Sequence, residues 1–131
     1  MSLKVTPFLM FEGKAEEAMT FYTSLIPDSR IISMEKYGPQ GPGPEGTVLR
    51  ALFAVGDLTV MCIDSFVKHA FTFTPSFSFF VTCRSPEEIE RLAKALGEGG
   101  KVLMPLDNYG FSQRFTWVAD RFGVAWQLNL E

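Results

Sequence analysis

The stretch SFSFFVTCRSPEEIERLAKALGEGG, Ser76 to Gly100, decides how the chain reads. Its first eight residues alternate, with Phe77, Phe79 and Val81 on one side, the period-two pattern of a strand with one buried face. Ser85-Pro86-Glu87-Glu88 then forms a capping box with proline at the first helical position, where its missing N–H is no loss. Ile89, Leu92, Ala93 and Leu96 return at helical spacing, and Gly97, Gly99 and Gly100 close the helix. Three strand-like runs follow: KVLMPLD (Lys101–Asp107), QRFTWVA (Gln113–Ala119) and VAWQLNL (Val124–Leu130). In the last run Val124, Trp126, Leu128 and Leu130 point one way, and Ala125, Gln127 and Asn129 point the other.

The first half repeats this order. KVTPFLMF (Lys4–Phe11) reads as a strand, and a helix follows with Ala15, Ala18, Met19, Tyr22, Leu25 and Ile26 on one face. Pro27 ends that helix, since proline removes a donor and clashes with the preceding turn. The runs RIISMEKY, TVLRALFAV and LTVMCID come next, the last two joined by a Gly56-Asp57 turn into a hairpin. Between the first two lies GPQGPGPEG, Gly38–Gly46, which reads either as a loop over a cleft mouth or as a long hairpin connection. Glu16-Glu17 and Glu87-Glu88 stand in the first turns of the two helices. There they suit the positive end of the helix dipole and are not a catalytic pair.

The expected architecture is therefore α+β, one domain over residues 1–131. A first βαβββ module covers 1–64, a connector 65–75, and a second module 76–131. The connector, SFVKHAFTFTP, is too apolar for a loose linker. It is expected to pack against one half or to cross to a partner subunit.

Composition narrows the functional classes. At 131 residues, with 47% hydrophobic and 21% charged residues, the chain has the make-up of a folded domain. Its 13 Phe fall largely in alternating runs, which favours sheet. Net charge is −3, and the 12 basic residues are scattered, so no nucleic-acid footprint is visible. No apolar run approaches the roughly 20 residues of a membrane span. The opening MSLKVTPFLMF lacks the pattern of a secretory leader, so a cytoplasmic protein is expected. Cys62 and Cys83 form no metal-binding spacing and read as a reduced, buried pair.

Tandem βαβββ units resemble the vicinal oxygen chelate superfamily, which includes glyoxalase I, extradiol dioxygenases and bleomycin-resistance proteins. TPFLMFEGKAEEAMTFYTSLIPDSRI, FTFTPSFSFFVTC, EEIERLAKALGEGGKVLMPL and DRFGVAWQLNL are similar to its PhnB-like branch, whose domain name is 3-demethylubiquinone methyltransferase. The resemblance implies curved sheets around a cleft and a homodimer. In metal-using relatives the first and last strands of each half supply one ligand each, typically His, Glu or Gln. The matching positions here are Thr6, Ser76 and Gln127, with Met61, Cys62 or Asp64 on the last strand of the first half. That set contains no histidine, and hydroxyls and an amide are poor ligands for Zn, Ni or Fe. No metal and no cofactor is therefore expected.

Other candidates come from the residues themselves. His69, the only histidine, lies in the connector with Asp64 nearby in sequence. The stretch DNYGFSQRFTWVADRFG offers Trp117 and other aromatics for a small-molecule surface, a core or an interface. In the same stretch Arg114 reads as an anion contact or as a surface partner of Asp107 or Asp120. Neither Gly38–Gly46 nor Gly97–Gly100 forms the glycine-rich strand-to-helix turn of a nucleotide-type cofactor fold, so methyl transfer has no support. Two functions stay open: a metal-independent protein binding a small molecule, and a glyoxalase-like lyase or isomerase with an atypical metal site. A third reading is a dimerising module whose cleft is filled by aromatics.

Overall fold

The computed structural model describes residues 2–131. They divide into two compact units, one running to His69 and the other spanning Ala70–Glu131. The first contains β1 (Phe8–Phe11), α1 (Ala15–Leu25), β2 (Arg30–Lys36), β3 (Val48–Val55) and β4 (Leu58–Asp64). The second contains β5 (Ser78–Thr82), α2 (Pro86–Gly97), β6 (Lys101–Asp107), β7 (Arg114–Ala119) and β8 (Ala125–Leu130). Each unit is thus βαβββ, and the α+β expectation holds. The sheets have matching orders, β1-β4-β3-β2 and β5-β8-β7-β6. In each, the first strand runs parallel to the last and the other pairs are antiparallel.

In the first unit, Leu9, Phe11, Ala51, Phe53, Val60 and Cys62 share the face under α1, and all are buried. Ala15, Ala18, Met19 and Tyr22 are the buried stripe of α1, with the Tyr22 ring stacked 6.2 Å from Phe53. The helix stops at Ile26, whose extended backbone (φ −88°, ψ 124°) is what a following proline imposes.

Lys14, at the start of α1, gives the helix no side-chain cap. The cap comes instead from Asp64, 49 residues away at the end of β4. Asp64 Oδ1 accepts from Gly13 N (2.8 Å) and Ala15 N (3.0 Å), and Oδ2 accepts from Val48 N (2.9 Å).

In the second unit Phe79, Val81, Thr116, Val118, Trp126 and Leu128 share the face under α2, whose buried stripe is Ile89, Leu92 and Leu96. Ser85 caps α2 by accepting from Glu88 N at 3.2 Å. The Glu88 carboxylate reaches back one residue further than a capping box requires, to Arg84 N at 2.9 Å, and it also binds the Arg84 guanidinium. That guanidinium holds the Glu88 carboxyl below its ordinary value.

Several strand ends differ from the expectation. β1 begins at Phe8 rather than Lys4, and β5 at Ser78 rather than Ser76. Pro7, just before β1, has no N–H to give a ladder; only its carbonyl is used, by Met61 N at 2.9 Å. Before β5 the chain turns at Thr74–Phe77, closed by Phe77 N to Thr74 O at 3.3 Å.

The Gly38–Gly46 loop is a hairpin connection. It wraps over the buried Tyr37, whose backbone bonds to Gly46 and Thr47 close the loop. The connector divides between the units: Ser65 N bonds Phe11 O at 2.7 Å in the first, while Phe73 lies over Gly123 in the second.

Replacing Asp64 with alanine leaves three buried or half-buried N–H groups without their acceptor. The expected loss is about 3–5 kcal/mol in urea unfolding. Asp64→Asn, which keeps one acceptor oxygen, should lose less.

The depressed Glu88 adds stability that is present above the carboxylate's unfolded value of about 4.3 and lost as pH falls through its lower folded value. Thermal midpoints measured from pH 6 down to pH 2 should therefore fall less steeply in Glu88→Gln than in the unsubstituted protein.

Candidate functional site

A strand shows side chains to alternate faces, so the residues opposite each helix-facing set line the other side of each sheet. In the first unit this open face carries Phe8, Met10, Leu52, Ala54, Thr59, Met61 and Ile63. Met61 and Ile63 therefore occupy it on β4. Cys62 and Asp64 point to the α1 side and are buried at 0% and 2% exposure. Of the three alternatives on that strand, only Met61 faces away from the helix, and it offers no hard or borderline metal donor.

The open face of the second unit is different. Ser78 and Phe80 on β5, Ala125, Gln127 and Asn129 on β8, and Phe115 and Trp117 on β7 share it. Gln127 stands in the middle, directly opposite Phe80 on one side and Trp117 on the other. Its Nε2 donates to Ser78 Oγ at 3.4 Å. None of these seven side chains is charged; Lys101 and Asp107 lie only on the edge strand β6, opposite Ala119 and Phe115.

Two buried polar atoms, Trp117 Nε1 and Asn129 Oδ1, have no hydrogen-bond partner among the described residues. Beside them, Phe115 is packed edge-on by Tyr109 and Phe111, with centroids 6.1 and 5.1 Å away.

The remaining sequence candidates lie elsewhere. Thr6 precedes β1, and Ser76 is exposed in the turn before β5, bonded to Thr74 Oγ1 at 2.7 Å. The polar β5 neighbour of Gln127 is Ser78, which the longer expected strand concealed. Arg114 lies on the α2 side, paired with Glu90 at 2.6 Å rather than with Asp107 or Asp120. His69 Nε2 lies 2.9 Å from Ser65 Oγ, and its backbone N–H reaches Glu12 at 3.4 Å. Beside this pair is a hollow of about 190 Å³ lined by Glu12, Gly13, Pro44, Thr47, Asp64 and Ser65 to Lys68. That is below the roughly 300 Å³ at which ligand pockets usually begin.

Cys62 and Cys83 are both free and buried. Burial pushes the Cys62 thiol up to about 12, helped by the negative charge of Asp64. Burial, and then Glu88, push Cys83 up to about 11.

The model of a family described as 3-demethylubiquinone-9 3-methyltransferase matches residues 3–129. The chain belongs to that family. This places it in the PhnB-like branch of the vicinal oxygen chelate superfamily. A PhnB protein structure from Bacillus cereus is 53% identical, covers 98% of this chain and 100% of its own, and superposes with a TM-score of 0.95. A Pseudomonas aeruginosa structure is 32% identical over 99% of this chain and 98% of its own, with a TM-score of 0.84. Protein YjdN of Escherichia coli is 21% identical over 98% of this chain and 95% of its own length. The fosfomycin resistance protein FosX of Listeria monocytogenes shares the fold, at 10% identity, with a TM-score of 0.62 over 100% of this chain and 94% of its own.

The family's description speaks of methyl transfer. The two strand-to-helix turns here, Glu12–Lys14 and Cys83–Ser85, contain a single glycine, Gly13. They do not form the glycine-rich turn that brings a backbone against a nucleotide-type cofactor. The relatives' metal chemistry fares no better in terms of donors. Among the described residues, no three His, Cys, Asp or Glu side chains come together as a metal site. The open face around Gln127 offers amides, a hydroxyl and aromatic rings.

The shifted thiols give a direct check on the placement of β4 and the end of β5. At pH 8 neither Cys62 nor Cys83 should react with Ellman's reagent in the native protein within minutes, and both should react once the chain is unfolded. Fast reaction of one thiol in the native state would mean that its strand end is open.

Proposed function

We propose that this protein binds a small molecule without a metal, and that the open face of the second sheet is its binding surface. The observation that carries this reading is the pair of unpartnered buried atoms on that face, Trp117 Nε1 and Asn129 Oδ1. A buried donor or acceptor left unpaired costs about 1–3 kcal/mol, so native proteins keep few of them. One donor and one acceptor on the same uncharged face fit a surface completed by a bound molecule. The reach of a ligand to these atoms requires the neighbouring rings to shift, and Trp117 is itself only half buried.

Phe80, at 59% exposure, gives the apolar contact such a surface needs. The donor chemistry supports independence from metal, since neutral amides and a hydroxyl do not compete for a divalent transition ion.

We also propose a homodimer working in the cytoplasm. Large apolar side chains left open on the chain, among them Phe8, Phe71 and Phe77, favour a second copy. No helix among the described residues is long and apolar enough to cross a membrane.

Native mass spectrometry of the untagged protein tests these points together. The expected species is a dimer that takes up no stoichiometric metal after incubation with Ni, Zn, Mn or Fe(II). One tightly held ion per chain, lost in Gln127→Ala, would overturn the metal-free reading in favour of a glyoxalase-like lyase.

A further inference from the structure

Across three neighbouring strands of the second sheet, β5, β8 and β7, Phe80, Gln127 and Trp117 form a single row on the open face. Adjacent strands lie about 4.8 Å apart, so the two aromatic residues stand roughly 10 Å apart at the backbone, one on each side of the amide. The two rings flank the amide, so a flat ring lying over it has an aromatic neighbour on each side.

The floor of this slot is a primary amide with capacity to spare. Gln127 Nε2 uses one of its two hydrogens on Ser78 Oγ, in a long 3.4 Å bond, and Gln127 Oε1 accepts no hydrogen bond among the described residues. Ser78 Oγ both donates and accepts. Its hydrogen already goes to Pro75 O at 3.5 Å, so Ser78 accepts from Gln127, and the amide keeps one donor and one acceptor side by side. No charged side chain stands on β5, β7 or β8 on this face, so nothing there compensates the desolvation of an ion.

We propose that the Phe80–Gln127–Trp117 row is a ring-binding slot. Its ligand is a neutral, flat ring system that carries an adjacent N–H and C=O on one edge, as a lactam does. The ring stacks between Phe80 and Trp117. Its N–H donates to the Gln127 carbonyl oxygen, and its carbonyl accepts from Gln127 Nε2. This rests on the reading of the open face as a small-molecule surface, and it names the class of molecule that surface takes.

The test uses quinolin-2-one, which has the lactam edge, and N-methylquinolin-2-one, which has the same rings without the donor. Affinities come from calorimetry and the contact residues from ring-proton NMR shifts. The native protein should bind quinolin-2-one at least tenfold more tightly than the N-methyl compound. Gln127→Leu should bring that ratio to about one. Phe80→Ala, a change at an exposed ring, should weaken both compounds severalfold and leave the ratio unchanged. Equal binding of the two compounds by the native protein, or a preference that survives Gln127→Leu, overturns the lactam-edge slot while leaving the face as a binding surface. If neither compound binds, the lactam-edge slot is overturned. Thermal midpoints of both variants within a few degrees of the parent confirm that a lost preference is not lost folding.

Discussion

The first unit hangs on one carboxylate. Asp64 ends β4, caps α1 through Gly13 and Ala15, and fixes the start of β3 through Val48. Helix α1 has no capping side chain of its own, so its N-terminal donors have to be met from elsewhere in the fold. A buried ion is costly unless several donors surround it, and three backbone N–H groups do so here. One side chain thereby ties a local helix end to contacts 16 and 51 residues away in sequence. It also decides the facing of β4: with Asp64 turned to the helix, Cys62 and Val60 must follow it and Met61 and Ile63 must face away.

The second unit meets the same demand by other means. Its helix carries a local cap in Ser85, so no remote carboxylate is needed there. The buried Asp120 is spent instead on the turn into β8. It accepts from Phe122 N and Val124 N through one oxygen and from Trp126 Nε1 through the other. That pins Trp126 to the α2 side, and alternation then sends Gln127 to the open face. The two units share a topology without sharing the bonds that secure it, and the open face of the second sets amides and a hydroxyl among aromatic rings.

This difference bears on chemistry. The resemblance implies His, Glu or Gln ligands on the open strands of metal-using members of the superfamily. Here the carboxylate of the first unit is consumed in structure, and the second unit offers amides between aromatic rings. The metal-free binding proposed for this chain rests on that difference in donors.

The sequence by itself determined the order and type of the elements. Period-two runs such as FSFFVT and the 3.6-residue stripe of Ile89, Leu92 and Leu96 are local patterns, and local patterns survive without a partner in view. It also determined the facing of β8, because Trp126, Leu128 and Leu130 alternate cleanly with Gln127 and Asn129. It did not determine the facing of β4. LTVMCID is apolar on both sides, and its one charged residue turns inward to serve a helix that no local signal connects to it. Nor did it separate Ser76 from Ser78, since the serine–phenylalanine alternation gives both serines the same phase, and only pairing with β8 marks where the ladder begins. The assembly of Phe80, Gln127 and Trp117 into one row was decided by tertiary structure alone. Those residues lie on three strands, and strand register is a property of the folded sheet rather than of any one segment.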